Sequence, residues 1–268
     1  MTVLDVGDVK DRHRRTWAVG NYPVIAAYQA PIADHLCSAA EVSSRDRVLD
    51  VATGTGNVAL AAARRGAAVS ALDLTPSMLE QARGRSREAG LHVDFVEGDA
   101  EDIPYPAGSF DVGLSACGLW FAPRPHLAVR ELRRVVSPSG RIGLANFTPT
   151  GYLGRINELM KKYLPLPPGA PEPNDWARED IAGSRLEECF EGIRFERSGL
   201  RWQFPSPRAA TEFLWLNSPP HVIARDSLTP KWARELFSEI EAVTTDLAGG
   251  TGQVDIEAEY LVVLARAR

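Results

Sequence analysis

The chain has 268 residues, of which 44% are hydrophobic and 24% charged, a composition typical of a globular protein with a sizeable core. Its formal net charge is −5, so the total charge does not indicate the basic face that nucleic-acid-binding proteins use. The three cysteines, Cys37, Cys117 and Cys189, are widely spaced and odd in number, which excludes a disulfide framework and a cysteine metal motif, and we expect no bound metal.

The sequence indicates neither a secretory signal nor a membrane anchor. The segment from Met1 to Trp17 is charged and lacks the apolar stretch of a signal peptide. No run of roughly 18 apolar residues occurs, so no membrane span is predicted. A reducing, cytoplasmic location is therefore expected.

Apolar runs predict an alternation of strands and helices in the first 150 residues. Residues 1–20 are predicted to be irregular, and a helix is predicted over 22–40 with a kink at Pro31. Helices are predicted after the first, second and fourth of the next strands, which are 47–51, 68–72, 93–97, 110–115 and 141–147. Residues 137–140 are predicted to form a turn. The alternation indicates a parallel sheet with helices on both faces.

After Thr150 this alternation stops. A strand is predicted over 193–204, two helices over 208–247 and a last strand over 259–265. We therefore predict an α/β fold: a Rossmann-like, doubly wound, mostly parallel seven-stranded sheet with helical lid insertions. The predicted parts are an N-terminal helical cap (1–40), a cofactor-binding Rossmann-like core (41–150), substrate-binding lid insertions with one core strand (151–250) and a C-terminal core strand (251–268).

The segment VLDVATGTGN (48–57) combines an apolar strand, a glycine-containing turn and the start of a helix. Gly54, Gly56 and Ala59 also fit the G-x-G-x-x-A fingerprint, so a nicotinamide-dependent oxidoreductase is one interpretation. Asp50 disfavours a pyrophosphate because like charges repel, and it suits a ligand that carries an amino group. Asp73, at the end of the second strand, can accept hydrogen bonds from ribose hydroxyls in either case.

Three further segments follow in order: ALDLTPSMLEQAR (71–83), FVEGDAEDIPYPAGSFD (95–111) and LRRVVSPSGRI (132–142). Together with 48–56 they resemble the class I S-adenosylmethionine-dependent methyltransferases, and more narrowly the ubiquinone/menaquinone-biosynthesis type and its bacterial small-molecule relatives. The resemblance covers about residues 15–150. It implies S-adenosylmethionine as cofactor and methyl transfer by in-line displacement to O, N or C of a small hydrophobic metabolite, for example in natural-product biosynthesis.

The resemblance also implies which residues bind the cofactor. Asp73 would hold the ribose hydroxyls, Asp99 would read the adenine edge, and Ser115 would lie under the sulfonium. Ala52 stands where the family's loop has its first glycine. The full set of implied cofactor-binding residues is Tyr22, Asp50, Ala52, Gly54, Gly56, Asp73, Leu74, Met78, Asp99, Ala100 and Ser115.

The acceptor is expected to bind after the fourth strand and in the insertions, where apolar side chains favour an apolar molecule. The predicted substrate-binding residues are Cys117, Trp120, Phe121, Phe147, Tyr152 and Trp215. A general base is needed only if the accepting atom carries a proton of high pKa. His126 and His221 could supply it, because imidazole titrates near neutral pH.

Alternatives to small-molecule methylation follow from the same residues. Methylation of nucleic acid is disfavoured, because Ser115-Ala116-Cys117-Gly118 replaces the Asn/Asp-Pro-Pro-aromatic signature of base-amino methylation. A cyclase or isomerase of the same fold, which binds the cofactor without methylating, stays open because a fold does not fix a reaction. The expected partner is a small-molecule substrate and no nucleic acid, and a homo-oligomer is left open.

Overall fold

A computed structural model describes residues 4–250 and 252–268, and in these ranges the chain forms ten α-helices and seven strands. The strands are β1 (Arg47–Val51), β2 (Ala68–Asp73), β3 (Asp94–Glu97), β4 (Phe110–Ala116), β5 (Val136–Phe147), β6 (Phe190–Phe204) and β7 (Val254–Ala267). The helices are α1 (Val6–Trp17), α2 (Tyr22–Ala39), α3 (Asn57–Arg64), α4 (Pro76–Glu88), α5 (Pro125–Val135), α6 (Tyr152–Tyr163), α7 (Glu179–Leu186), α8 (Pro207–Asn217), α9 (Pro219–Ser227) and α10 (Pro230–Leu247). Two short 3₁₀ turns cover Leu119–Phe121 and Pro173–Ala177.

The described strands form one sheet with the order β3-β2-β1-β4-β5-β7-β6, which confirms the predicted Rossmann-like, mostly parallel seven-stranded sheet. Strand β1 pairs in parallel with both β2 and β4, and the pairs β2–β3 and β4–β5 are parallel as well. The chain first builds β2 and β3 on one side of β1, then β4 and β5 on the other. Ligands of doubly wound sheets bind outside the carboxyl ends of the strands at such a reversal, here between β1 and β4.

The prediction that residues 1–20 are irregular is wrong, because α1 spans Val6–Trp17. The side chain of Asp5 caps this helix by accepting a hydrogen bond from the N–H of Asp8 (3.0 Å). Only Val9 of the helix is buried. Charged residues dominate this helix and its apolar residues are few, so the pattern that predicts a helix is weak here.

Two further local predictions are wrong. The four residues expected to form the turn 137–140 lie inside β5, where the pairing with β4 shifts register between Val136, opposite Phe110, and Arg141, opposite Val112. The region 208–247 holds three helices rather than two. Pro219 and Pro230 each occupy the first position of a helix, where a proline fits because its missing N–H would have no intrahelical partner.

The chain divides into two compact units. The sheet unit consists of Gln29–Asn146, Pro171–Arg197 and Leu261–Arg268. It contains β1 to β4 and the helices α3, α4, α5 and α7. Val48, Leu49 and Val51 of β1 are completely buried, as expected for a central parallel strand covered on both faces.

The helical unit consists of the residues up to Tyr28 together with Phe147–Ala170 and Ser198–Tyr260. Within it α10 packs on α6 and α8, and α9 packs on α8 and α1. An aromatic cluster forms part of its core, with ring centroids 5.0 to 5.9 Å apart among Tyr28, Trp202, Phe204 and Phe213.

Two properties of the described residues bear on the expected partners. None of their helices has both the length and the apolar character needed to cross a lipid bilayer. Nor do they contain a group of three or more His, Cys, Asp or Glu side chains placed to hold a metal ion.

Candidate active site

The loop that follows β1 is held in place by the carboxylate of Asp50, a buried residue near the end of that strand. Its Oδ2 accepts hydrogen bonds from the hydroxyl of Thr53 (2.6 Å) and from the backbone N–H of Ala59 (2.9 Å). These contacts fold the loop back onto β1 and onto the first turn of α3. Asp50 therefore shapes the loop that follows β1.

The other carboxylate oxygen of Asp50, Oδ1, is buried, and no donor in the described part of the chain reaches it. Burial raises the pKa of Asp50 to about 7, an effect that the bonds from Thr53 and Ala59 oppose and the nearby Asp73 reinforces. A buried acceptor without a partner calls for a donor from elsewhere. An ammonium group of a ligand would supply one and would favour the ionised carboxylate.

Three residues of this loop have a left-handed backbone: Ala52 (φ 57°), Gly54 (φ 57°) and Gly56 (φ 90°). Glycine adopts this conformation without steric cost, whereas an alanine costs about 1–2 kcal/mol. A Cβ at Gly56 would lie 3.3 Å from the Cβ of Ala82 on α4. The alanine at position 52 thus keeps the loop conformation that a glycine would favour, at the expense of local strain.

Asp73 joins the loop after β1 to the loop after β2. Its Oδ2 accepts from the N–H of Gly54 (2.8 Å), and its Oδ1 accepts from the N–H of Thr75 (2.9 Å). Burial raises the pKa of this carboxyl, and the hydrogen bonds from Gly54 and Thr75 offset part of that effect. The hydroxyl of Thr75 and the backbone N–H of Leu74 also contribute hydrogen bonds to this carboxyl.

The loop after β3 is attached to Asp73 through the bond from the Gly98 N–H to the Asp73 carbonyl (3.0 Å). Asp99 follows, half-buried, and its Oδ1 accepts from the N–H of Glu101 (2.9 Å). The loops after β1, β2 and β3 are therefore linked in sequence by short hydrogen bonds. The next predicted residues, Leu74 and Ala100, are half-buried, and Met78 on α4 is buried.

At the carboxyl end of β4, the buried hydroxyl of Ser115 bridges two loops. It donates to the carbonyl of Val51 (2.7 Å) and accepts from the N–H of Leu119 (3.0 Å). A Cβ on Gly118 would lie 2.6 Å from both the Cβ and the carbonyl oxygen of Ala52. The backbone at Gly118 therefore lies directly against the loop that follows β1.

The residues that are predicted to bind the methyl acceptor after β4 lie next to Gly118 in the chain. Cys117 is half-buried and has a left-handed backbone (φ 53°). Trp120 is buried and Phe121 half-buried, and their rings meet edge to face at 5.3 Å. His126 is exposed in the first turn of α5.

The other predicted site residues belong to the helical unit: Tyr22, Phe147, Tyr152, Trp215 and His221. Phe147 and Tyr152 are buried, and the Tyr152 hydroxyl lies 3.2 Å from Oγ1 of Thr244, where burial raises its pKa to about 12. Tyr22 and Trp215 are half-buried, and each meets another aromatic ring edge to face. Their roles toward cofactor or acceptor stay predictions.

His221 is buried on α9. Its Nδ1 lies 3.0 Å from the hydroxyl oxygen of Ser218, and its Nε2 has no partner among residues 4–250 and 252–268. Burial lowers the pKa of the imidazole to about 4. His221 is therefore neutral at physiological pH, which is the form that can accept a proton.

Sequence reasoning missed four residues that build this site: Thr53, Thr75, Glu101 and Arg124. Thr53 and Thr75 had a usable signal, because each follows an aspartate by two or three residues, the spacing of local capping contacts. Glu101 binds Arg124 across 23 positions of the chain. No local pattern predicts such a pair.

Comparison with known proteins gives consistent results. A family model described as a methyltransferase domain matches residues 49–144. The uncharacterized protein Rv1403c of Mycobacterium tuberculosis is 36% identical over 260 residues, which cover 95% of this chain and 93% of that protein. The ubiquinone/menaquinone biosynthesis C-methyltransferase UbiE of Sinorhizobium fredii is 35% identical over 150 residues, 53% of this chain and 58% of the relative.

Two solved structures share the fold. A candidate methyltransferase of Bacillus halodurans C-125 matches with a TM-score of 0.60 and 23% identity, covering 87% of this chain and 97% of its own. The [4+2]-cyclase SpnF matches with a TM-score of 0.55 and 20% identity, covering 89% and 80%. At these identities the likeness concerns the fold alone.

The reversal of strand order between β1 and β4, the carboxylates at the ends of β1 and β2 and these relatives agree with one another. The chain belongs to the class I S-adenosylmethionine-dependent methyltransferases.

Proposed function

We propose that this enzyme transfers the methyl group of S-adenosylmethionine to O, N or C of a small, largely apolar metabolite, a reaction suited to natural-product biosynthesis. One observation carries the choice of acceptor. The segment that lies against the loop after β1, from Ser115 to Phe121, offers small and apolar side chains and no charged group. Apolar linings with few polar groups are typical of sites for small hydrophobic ligands.

The residues of the sheet unit fit the cofactor chemically. The unpartnered Oδ1 of Asp50 suits the ammonium of the methionine part. The carboxylate of Asp73, at the end of β2, suits the two ribose hydroxyls, and the half-buried Asp99 suits the exocyclic amine of adenine. We assign Gly54 and Gly56, which have no side chain, and Ala52, which has only a methyl group, to the close approach of the backbone.

The cofactor supplies a methyl group on a positively charged sulfur, which needs little activation. The protein's part is then mainly to hold the accepting atom in line, and positioning of this kind can supply roughly 7 kcal/mol or more. Where the accepting atom carries a proton, we assign its removal to His221, whose Nε2 has no partner in the described part of the chain. His126, exposed in the first turn of α5, is the second candidate base.

Calorimetry comes first among the tests of this proposal. The purified protein is titrated with S-adenosylmethionine, S-adenosylhomocysteine and, as the control, NAD. Binding of the first two and no binding of NAD is expected. Binding of NAD alone would instead support the dinucleotide interpretation of Gly54-Thr55-Gly56.

Product mass is the second test. The protein and S-adenosylmethionine are incubated with panels of apolar aromatic, terpenoid and polyketide-like molecules, and the products are analysed by mass spectrometry. A gain of one CH₂ supports methyl transfer. A rearranged product of unchanged mass would support the cyclase or isomerase alternative. With an acceptor in hand, His221→Asn should lower kcat at neutral pH if His221 removes a proton, and the loss should shrink near pH 4, where the imidazole of the unsubstituted protein becomes protonated.

A further inference from the structure

Glu101 and Arg124 form a forked ion pair between the loop after β3 and the loop after β4. Oε2 of Glu101 accepts from Nε (2.9 Å) and Nη2 (2.7 Å) of Arg124, and Oε1 accepts from the backbone N–H of Arg124 (2.6 Å). The Glu101 side chain is only 1% exposed, whereas that of Arg124 is 42% exposed. A buried carboxylate bound by three donors fixes the relative position of the two loops.

The glutamate end of the pair is connected to Asp99. Asp99 lies two residues earlier, and its Oδ1 accepts from the Glu101 N–H (2.9 Å). The Asp99 carbonyl also accepts from the N–H of Asp102 (3.0 Å). Because the Glu101 N–H is bonded to the Asp99 carboxylate, a ligand that fixes this carboxylate also restricts the backbone of Glu101.

The arginine end of the pair is connected to the residues expected at the acceptor. Arg124 closely follows the Leu119–Phe121 turn, which is closed by bonds from the Phe121 N–H to the Gly118 carbonyl and from the Ala122 N–H to the Leu119 carbonyl (both 3.1 Å). The backbone N–H of Arg124 is itself one of the donors to Glu101. The pair therefore fixes the end of the segment 117–124, which we call the acceptor loop.

From these contacts we propose that Glu101 and Arg124 are positioning residues that couple cofactor binding to the order of the acceptor loop. The inference rests on the proposed placement of adenine at Asp99. Cofactor that fixes Asp99 then restricts the acceptor loop through the pair, and the acceptor binds better to the cofactor-loaded enzyme. By linkage, a bound acceptor strengthens cofactor binding by the same factor.

A second ion pair in the sheet unit has the same pattern and serves as the matched control. Oδ2 of Asp111 accepts from the backbone N–H (2.9 Å) and Nε (3.0 Å) of Arg47, and Oδ1 accepts from Nη2 (2.8 Å). This pair joins the beginnings of β1 and β4, at the ends of the strands opposite the candidate site. It should have no influence on the coupling.

The test is hydrogen exchange of the full chain, measured by mass spectrometry with and without S-adenosylhomocysteine. In the unsubstituted protein the ligand should slow exchange at residues 54–59 and 73–79 and in the acceptor loop. In Glu101→Gln, protection at the first two segments should remain. Protection of the acceptor loop should fall about tenfold, the equivalent of one charge-assisted hydrogen bond. Asp111→Asn should behave like the unsubstituted protein.

Each other result has a distinct meaning. If S-adenosylhomocysteine protects the acceptor loop equally well in Glu101→Gln, the coupling is overturned. The coupling is also overturned if, in the unsubstituted protein, the ligand protects residues 54–59 but not the acceptor loop. No protection anywhere by the ligand would instead contradict the proposed cofactor placement. Arg124→Gln gives the same readout from the other side of the pair and replaces Glu101→Gln if that variant does not fold.

Discussion

At the scale of single residues, the most unusual group is the carboxyl of Asp50. Its pKa is about 7 in the folded chain because it is buried, while an aspartate in an unfolded chain has a pKa of about 3.9. The folded state thus binds the proton more tightly. The free energy of unfolding contributed by this group must fall as pH rises from about 4 to about 7 and stay level above that.

Asp50→Asn removes this titration while its side-chain oxygen can still accept from Thr53 and Ala59. The stability of the variant minus that of the unsubstituted protein should therefore rise between about pH 5 and pH 7, by at most about 1.4 kcal/mol per pH unit, and level off above. Urea unfolding of both proteins between about pH 5 and pH 8 measures this difference. In the control Asp111→Asn the difference should be flat, because Arg47 lowers the pKa of Asp111. A flat difference in both would mean that Asp50 is ionised throughout.

Asp73→Asn tests the ribose assignment. The variant keeps one carbonyl oxygen for Gly54 or Thr75 but loses the negative charge and places an N–H₂ where the second oxygen accepts. Hydrogen bonds to a charged group contribute about 1.5–3 kcal/mol each, so affinity for S-adenosylhomocysteine should fall about tenfold to a hundredfold. Calorimetry with Asp111→Asn as the control measures this. Equal affinities of the two variants would place the ribose elsewhere.

At the scale of elements, the contact between Gly118 and Ala52 sets how closely the segment after β4 approaches the loop after β1. Gly118→Ala would bring a Cβ to 2.6 Å from the backbone oxygen of Ala52, so the loops must separate. We expect a loss of about 1–3 kcal/mol in unfolding free energy, the usual cost of overpacking. S-adenosylhomocysteine should also bind more weakly.

Gly84→Ala is the matched substitution for that test. Gly84 lies inside α4, and a Cβ there would have no atom within 4 Å. Replacing a helical glycine by alanine in open space should stabilise the protein by about 0.5–1 kcal/mol. Urea unfolding of both variants gives the comparison. The change in unfolding free energy should have opposite signs in the two variants. Destabilisation by both would show that the space around each glycine does not decide the effect of an added Cβ.

The elements that the sequence predicted well are those whose pattern is set by burial. Strands β1, β2 and β4 are apolar runs because both faces of a central parallel strand are covered, and glycines mark the turns after β1 and β4. Helix α1 escaped prediction because its stability depends on a cap and on charged pairs such as Arg14–Asp11 rather than on an apolar stripe. The composition of residues 137–140 favours a turn, yet they lie inside β5, at the register shift in its pairing with β4.

The residues of the candidate site also divide into those with a local signal in the sequence and those without one. Asp50, Gly54, Gly56 and Asp73 can be proposed from the sequence because they lie within or just after predictable strands, where the chain turns at the carboxyl edge of the sheet, and their roles toward a ligand stay predictions. The role of Ser115 under the sulfonium stays a prediction, and the bonds of its hydroxyl to the Val51 carbonyl and the Leu119 N–H had no local signal in the sequence. Contacts between distant segments, such as Glu101 with Arg124, depend on the folded arrangement and leave no local signal.

At the scale of the whole molecule, the two compact units are interleaved along the chain. The boundaries between them fall inside β5, β6 and β7 as well as inside α2. A strand or helix cannot unfold in one half without disturbing the other half, because its backbone hydrogen bonds form a continuous ladder. We therefore expect the chain to unfold in one cooperative transition, although the residues assigned to the cofactor lie mainly in the sheet unit.

A ligand that binds only the folded state must then stabilise the entire chain. At a concentration of about 100 times its Kd, S-adenosylhomocysteine should add about 2.7 kcal/mol, and for a chain of this size the single Tm should rise by about 5–10 °C. Differential scanning calorimetry measures both the number of transitions and the shift. Two transitions, of which the ligand moves only one, would show that the units unfold independently. In that case the strands they share would have to break at the boundaries rather than unfold as continuous elements.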